Sequence, residues 1–426
     1  MTTEKQTPRL GLTIGTKLAA ISITISMVAV CAAALLAGYS SNAALKRAAF
    51  EKLTAVRELK AQQIEGYFSQ VENELNFIAE SASLKERLQQ LRRGVVYLKT
   101  SNELITSQSQ ENLTKYYFED FLQRYEMESG STADDTLIDE LLPQDPLAIF
   151  LQNQYIFDPH LVNEARFETF FGSAFANLDQ PLNDFQNRFG FYDVFLIEPD
   201  DGRIVYSVER EIDFGTSLFD GPHSNTNLAR AVTAAMAASP GQVILADFEP
   251  YVPSFDAPAA FAALPVYDGP ILIGVLAVQL PLSGINAIMT SNEAWSDVGL
   301  GESGEAYLVG RDKLLRNQSR FLIEDREKYL KLIGEVGLSS SIIDQIERTN
   351  SSVGLQEVDT IGTRAALSGN TGTEIFPDYR DVEVLSSYRP LELSGLDWVI
   401  MSEIDREEAL RDADQLIDRL ILVASI

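Results

Sequence analysis

The feature that most constrains this chain is an uncharged, apolar stretch near the N-terminus, from Leu18 to Tyr39. No charged side chain occurs between Lys17 and Lys46. A helix of about 20 apolar residues is what a hydrocarbon core of about 30 Å requires. The stretch therefore predicts a transmembrane helix at 18–39, preceded by a cytoplasmic tail at 1–17.

Two other interpretations of this stretch stay open. A cleaved signal peptide has an apolar core of about 7 to 15 residues before a small-x-small site; Ala32 to Ala34 supply such a site, although the apolar run continues past it. A lipid anchor on Cys31 needs a small residue just before the cysteine, where Val30 stands. Basic residues flank the stretch on both sides, so charge alone does not orient it.

Charge and cysteine content exclude several classes of function. The 426 residues carry a net charge of -28, which repels phosphate backbones, so nucleic acid is not an expected partner. The only cysteine, Cys31, lies inside the apolar stretch. The rest of the chain therefore has neither disulfides nor thiolate metal ligands.

A long stalk helix is predicted at 40–93. Its apolar residues recur at helical spacing, and Gly94 is the expected break. The stripe Leu53, Val56, Tyr67 and Val71 either packs on the chain's own domain or forms a two-helix seam in a homodimer.

The next segment is predicted to be mostly helical, as an insertion before the first sheet. Residues 86–125 and 147–189 have helix-like spacing. Between them, Glu126 to Pro146 is rich in acidic and small residues and contains two prolines, which predicts a solvated loop.

The pattern then changes to that of strands. Asp193 to Ile197 and Arg203 to Val208 form a hairpin around an Asp-Gly turn. A helix at Asn227 to Ala238 and a loop follow, and then the strands Ala259 to Val266 and Ile271 to Leu280.

The same order recurs further along the chain. Strands are predicted at Ala306 to Val309 and Leu314 to Gln318, then a helix at Glu327 to Arg348, then strands at Val382 to Tyr388 and Asp397 to Ile404. This repetition predicts an α+β chain with a duplicated antiparallel-sheet module. The modules are assigned to 94–290 (membrane-distal) and 291–410 (membrane-proximal). Residues 411–426 are expected to be a linker and the start of a second membrane helix.

Five strings carry a resemblance to a known family. They are Lys52 to Glu58, Tyr192 to Ile197, Asp213 to Leu218, Gly301 to Gly310 and Gly395 to Trp398. The chain resembles, from about Ala44 to Leu410, the double Cache (tandem PAS-like) sensor region of bacterial transmembrane receptors. The resemblance implies a bacterial inner-membrane protein whose sensor region is periplasmic or extracellular. It also implies a cytoplasmic output such as a class III cyclase, chemoreceptor signalling domain, histidine kinase or diguanylate cyclase.

No catalytic set is recognisable, and no cofactor or metal site is expected. The Arg-x-Trp pattern of amino-acid-binding family members is absent and the candidate Asp247 is acidic, which together favour a neutral or cationic small-molecule ligand over an anion. Alanine fills little space, so the strand Ala259 to Ala263 leaves one sheet face roomy, either for a ligand or for a closely packed helix. The predicted ligand-binding residues are Tyr192, Tyr206, Asp247, Tyr251, Ser254 and Phe261.

The sequence thus favours a small-molecule sensor region that controls a cytoplasmic output domain. An adhesion or scaffold ectodomain without a small ligand is the alternative. A secreted hydrolase is disfavoured, since no nucleophile and base can be paired.

Overall fold

A computed structural model describes residues 14–100, 107–133, 135–157, 170–411 and 415 of the chain. Its first element, helix α1 (Ile14–Ala79), contains the predicted membrane segment and most of the predicted stalk. Within the described residues, no helix is long and apolar enough to cross a membrane. The predicted start of a second membrane helix, Leu420 to Ile426, lies outside the described residues.

The break after the stalk lies earlier than predicted. Helix α1 ends at Ala79, and α2 (Ala82–Thr100) begins where the Ser81 hydroxyl accepts the Leu84 N–H at 3.1 Å. The expected break at Gly94 is wrong: this glycine is buried in the middle of α2. A Cβ there would lie 2.8 Å from the Cα of Phe171, so Gly94 permits a close helix–helix approach.

The insertion before the first sheet is helical. Its predicted solvated loop at 126–146 contains helix α5, because Ile138 and Leu141 bury their side chains against Tyr117 and Phe121. The elements are α3 (Ser107–Tyr116), a π-helical turn (Tyr117–Phe121), α4 (Leu122–Ser129), α5 (Asp135–Leu141), α6 (Pro146–Gln152), a second π-helical turn (Asn153–Phe157) and α7 (Phe170–Phe189).

The first module is a five-stranded antiparallel sheet in the order β2-β1-β5-β4-β3. Helix α8 precedes the edge strand β3, and α9 leads out of the module. The elements are β1 (Asp193–Glu198), β2 (Arg203–Ser207), α8 (Asn227–Met236), β3 (Ile244–Tyr251), a 3₁₀ turn (Val252–Ser254), β4 (Ala257–Asp268), β5 (Ile271–Leu280) and α9 (Leu282–Thr290).

The second module is a four-stranded antiparallel sheet in the order β6-β9-β8-β7. The predicted single helix at 327–348 is two helices here. The elements are β6 (Glu305–Val309), α10 (Arg320–Glu324), α11 (Arg326–Glu335), α12 (Ser340–Thr349), α13 (Ile361–Leu367), β7 (Gly372–Pro377), β8 (Glu383–Pro390) and β9 (Val399–Asp405). Two antiparallel sheets in tandem confirm the predicted α+β class.

Strand assignments failed at three places. The edge strands β3 and β7 were missed because pairing with β4 and β8 overrides the weak strand propensity of their acidic residues and prolines. The predicted strand at Leu314 to Gln318 is wrong. The Asn317 side chain accepts the Leu308 N–H at 2.7 Å, so the backbone ladder ends after isolated bridges.

Most residues of the predicted homodimer seam pack against other parts of the same chain. Leu53, Val56 and Val71 are buried in the core that α1 shares with both sheets, and Tyr67 is partly buried against it. The alternative that this stripe packs on its own domain is therefore correct for these residues, because the sheets need a covering helix.

Substitution of two helical glycines by alanine should change the free energy of unfolding in opposite directions. Gly66 on α1 has open space around it, so Gly66→Ala should raise the free energy of unfolding by about 0.5–1 kcal/mol through lower unfolded-state entropy. Gly94→Ala should lower it by about 1–3 kcal/mol, since a methyl group overpacks the contact with Phe171. Chemical unfolding of the purified chain measures both, and equal effects would contradict the packing described here.

Candidate functional site

A cluster of carboxyl groups lies where β1 meets the loop after β2. Asp193, at the start of β1, is fully buried. Its Oδ1 accepts the N–H groups of Val208 and Glu209 at 2.9 and 3.2 Å, and its Oδ2 accepts the Ser207 hydroxyl at 2.7 Å. Asp193 therefore holds the loop after β2 against the sheet. This loop carries the other two acidic residues of the cluster, Glu211 and Asp213.

Glu211 lies at the partly exposed side of this cluster. Its Oε1 accepts the Tyr192 hydroxyl at 2.8 Å, and its Oε2 accepts the Ser254 hydroxyl at 2.7 Å. Gln279 on β5 in turn donates to the Ser254 oxygen at 3.3 Å. The two hydroxyls thus hold the Glu211 carboxylate in one orientation.

Asp213 is the buried end of the cluster. Its Oδ2 accepts the hydroxyl of Tyr251, which is itself fully buried. Among the described residues, no group makes a hydrogen bond to its Oδ1 or to Oε1 of the nearby buried Gln279. Two buried acceptors without donors indicate a place for a group that donates hydrogen bonds.

The cluster has no bonded cation within the described part of the chain. Arg210, next to Glu211, pairs instead with Asp179 and lies over the Phe175 ring at 5.2 Å. Uncompensated carboxylates in a buried place are costly. A bound cation would remove that cost.

Burial perturbs each of these carboxyl groups. It raises the pKa of Asp193 to about 8 and that of Glu211 to about 8, and the negative charge of Asp213 adds to both shifts. Burial also raises the pKa of Asp213 to about 6. These groups ionise near neutral pH, where an arriving cation changes their charge state most.

The helical insertion covers the cluster. The Tyr117 hydroxyl donates to the backbone oxygen of Ile212 at 3.3 Å, between the two acidic residues. Phe121 stacks on Phe255, just after the Ser254 turn, with ring centroids 5.7 Å apart. The α3–α6 region therefore limits water access to the carboxylates.

The predicted site residues fall into two groups. Tyr192, Tyr251 and Ser254 lie at the carboxyl cluster, and Phe261 lies under it, with its ring 5.0 Å from that of Tyr251. Tyr206 is buried on the side of α7, where its hydroxyl donates to Asp179 at 3.2 Å.

Asp247 lies away from the cluster. Its carboxylate binds Arg316 of the second module through bonds of 2.8 and 2.9 Å. The predicted roomy face is also filled: α8, α1 and α2 contact strand β4, and Ala259 to Ala263 are all buried. The helix-packed alternative is therefore the correct one for these alanines.

The sequence interpretation missed Asp193, Glu211, Asp213 and Gln279. The signal was the pair Glu211 and Asp213, with one residue between them, directly after a β-hairpin. Within the described residues, no group of three or more acidic, histidine or cysteine side chains is placed to hold a metal ion.

Comparisons with known proteins find solved structures only. No family model and no curated protein matches the chain. Among the solved structures that match are ligand-binding domains of bacterial chemoreceptors and the sensor domain of a histidine kinase.

Three of these structures show the levels of identity, coverage and TM-score. The ligand-binding domain of the Pseudomonas aeruginosa PAO1 amino-acid chemoreceptor PctC, in complex with GABA, is 16% identical, with 54% of this chain and 81% of that chain covered and a TM-score of 0.33. The Pseudomonas fluorescens CtaA domain with L-alanine is 12% identical, with coverages of 71% and 94% and a TM-score of 0.34. The sensor domain of the V. cholerae histidine kinase DctB is 15% identical, with coverages of 70% and 95% and a TM-score of 0.33. Likeness at this level does not bear on the ligand.

Neutralising Glu211 should flatten the pH dependence of stability. Its folded-state pKa of about 8 exceeds the ordinary value of 4.5, so the folded state holds the proton longer and stability falls as pH rises between these values. Relative to the wild type, Glu211→Gln should gain on the order of 2 kcal/mol on going from pH 5 to pH 8.

Thermal unfolding at both pH values measures this effect. Glu209→Gln, which changes an exposed neighbouring acid, is the matched control and should keep the wild-type slope. Other buried acids, Glu305 and Glu403 among them, titrate in all three proteins and cancel in the comparison. A Glu211→Gln protein with an unchanged slope would contradict the buried-carboxyl assignment.

Proposed function

We propose that this chain is the extracytoplasmic sensor region of a membrane-bound bacterial receptor and binds a small cation in its membrane-distal module. The observation that supports it is the set of carboxyl groups at Asp193 and Asp213, which are buried, and Glu211, which is partly buried; no lysine or arginine is bonded to them within the described residues. A ligand with a protonated amine supplies both the missing charge and the missing donors.

The roles of the residues follow from their contacts. The ammonium lies between the Glu211 carboxylate and Oδ1 of Asp213, and Gln279 Oε1 accepts a further N–H. Tyr192, Tyr251 and Ser254 orient the carboxylates through their hydroxyls. Asp193 is a positioning residue, since its own oxygens are already bonded to the protein. Phe261 supports the Tyr251 ring from below.

The membrane placement rests on the uncharged stretch at 18–39. In α1 the side chains of Ile21, Ile25 and Val28 are 57%, 63% and 63% exposed, and exposed apolar side chains in such a run need an apolar environment. We place residues after 41 outside the cytoplasm, and the distal and proximal modules at 94–290 and 291–410. A cytoplasmic output domain of the same receptor receives the signal.

The homodimer seam is reassigned to the outer face of α1. Its residues there are exposed, uncharged and spaced by four and three positions, as in a two-helix coiled coil. Several are small, which allows two helices to approach closely. The stripe consists of Ala55, Leu59, Gln62, Gly66, Ser69 and Asn73.

Small amines should stabilise the chain in a thermal-shift screen of mono- and diamines and amino acids at pH 7.5. A ligand at a hundredfold excess over Kd adds about 2.7 kcal/mol of stability. Glu211→Gln should weaken binding of a hit at least tenfold, because it removes one charge of a buried pair. The Asp247→Asn variant should weaken binding less than Glu211→Gln does, since Asp247 is not at the cluster.

Two outcomes would contradict the ligand proposal. One is a hit whose shift survives Glu211→Gln and is lost in Asp247→Asn. The other is a screen in which anions or neutral molecules bind and amines do not. A chain that binds no small molecule would favour the adhesion or scaffold alternative.

Cysteine probes test the seam and the topology together. In a Cys31→Ser background, Gln62→Cys should cross-link to a dimer in membranes. In intact cells kept under reducing conditions, the same thiol should react with a membrane-impermeant maleimide. Asp200→Cys is a control, because the Asp200 side chain is 68% exposed and lies in the turn between β1 and β2 rather than on α1; it should be labelled but not cross-linked. Unlabelled Gln62→Cys and Asp200→Cys would overturn the topology, and equal cross-linking at both positions would overturn the seam.

A further inference from the structure

An ion pair between buried Arg316 and partly exposed Asp247 joins the two modules. On Arg316, Nε and Nη2 donate to Oδ1 and Oδ2 of Asp247 at 2.8 and 2.9 Å, so the pair is bidentate. The Arg316 side chain is 3% exposed, and it also binds Asp312 at 2.8 Å and the Leu314 backbone oxygen at 3.0 Å. Gly310 lies against the guanidinium, where a Cβ would clash with it. Planar, buried, bidentate geometry of this kind does not tolerate small displacements.

Trp398 adds the stalk helix to the same junction. Its Nε1 donates to Asp247 Oδ1 at 3.0 Å. The indole ring stacks on Phe248 of β3 at 6.1 Å and meets Phe68 of α1 edge to face at 5.5 Å. The distal sheet, the proximal module and α1 therefore contact one another around a single carboxylate.

Strand β3 connects this junction to the carboxyl cluster. Asp247 lies within β3, which ends at Tyr251, whose hydroxyl binds Asp213. The 3₁₀ turn that follows ends at Ser254, whose hydroxyl binds Glu211. The span from Asp247 to Tyr251 is about 13 Å at about 3.3 Å per residue. The β3–β4 register shifts between Ala246 and Glu249, so the irregularity in the strand includes Asp247 itself. A β-bulge re-aims a side chain, so a shift of β3 at this point changes the direction of the Asp247 side chain.

We propose that strand β3 is the coupling element of the sensor, carrying a change at the Tyr251 and Ser254 hydroxyls to the Asp247–Arg316–Trp398 junction. This proposal rests on the carboxyl cluster being the sensory site. A cation there binds the same two carboxylates that accept the two hydroxyls, so it shifts the C-terminal end of β3. The rigid ion pair converts that shift into a change in the proximal loop at 310–318 and at α1.

The test uses variants of the whole chain and no ligand. Tyr251→Phe and Ser254→Ala disturb the site end of β3, and Asp247→Asn disturbs the junction. Tyr206→Phe is the matched control, because it removes a tyrosine hydroxyl of the same module that is carried by β2 rather than β3. Hydrogen exchange of residues 310–318 is followed by mass spectrometry. Trp398 emission is followed in a Trp295→Phe background, since Trp295 is the other of the chain's 2 tryptophans.

Tyr251→Phe should accelerate exchange at 310–318 about fivefold, which corresponds to the net loss of about one hydrogen bond, and should shift Trp398 emission. Tyr206→Phe should do neither. Combining Tyr251→Phe with Asp247→Asn should add nothing to the effect of Asp247→Asn alone.

Two results would overturn the coupling. In one, Asp247→Asn changes exchange and emission while Tyr251→Phe and Ser254→Ala change neither, so the junction exists without a connection to the site. In the other, Tyr206→Phe acts as strongly as Tyr251→Phe, so the effect is a general loosening of the module. Neither result depends on the amine screen, so failure here and failure of the ligand proposal are separable.

Discussion

The structure depends on the burial of one helix stripe against two separate sheets. Each antiparallel sheet needs a cover on its apolar face, and α1 supplies part of the cover for both. Arg57, in the middle of α1, donates to Ser387 on β8 at 3.0 Å, while Asn76, near its C-terminal end, donates to the Gly241 backbone oxygen at 3.1 Å. Between them the buried ammonium of Lys60 binds the end of α9 at Ile288. A movement of either module therefore changes contacts that α1 makes.

The buried carboxyl groups of the two modules have different charged neighbours. In the proximal module, Glu305 and Glu403 are paired across β6 and β9, and burial raises their pKa values to about 7 and 8. That interior also contains Arg380, which binds Asp378 at 2.6 Å and whose positive charge opposes the pKa shifts of both glutamates. In the described chain, no arginine or lysine is bonded to the distal cluster. This difference is the physical reason for assigning the cation site to the distal module.

Strand β3 illustrates how tertiary pairing creates function that local pattern conceals. Its sequence contains Asp247, Glu249 and Pro250, all poor strand formers, so a loop was expected there. Pairing with β4 nevertheless holds it as an edge strand. The sequence predicts Asp247 as a ligand group because it is acidic and near Tyr251 in sequence. Its partner, Arg316, is 69 residues away along the chain, which no local pattern indicates.

The sequence by itself determined the elements whose signals are local. The uncharged helical run, the hairpin at Asp193 to Ser207 and strand β5, which matches its predicted bounds, follow from periodicity and turn chemistry. It also placed Tyr192, Tyr251 and Ser254 among the candidates. Only the tertiary structure decided which acids lack a cation, because an acid's partner is set by packing between distant segments. The same reason explains why the α1 stripe faces the sheets and the alanines of β4 face helices rather than a ligand.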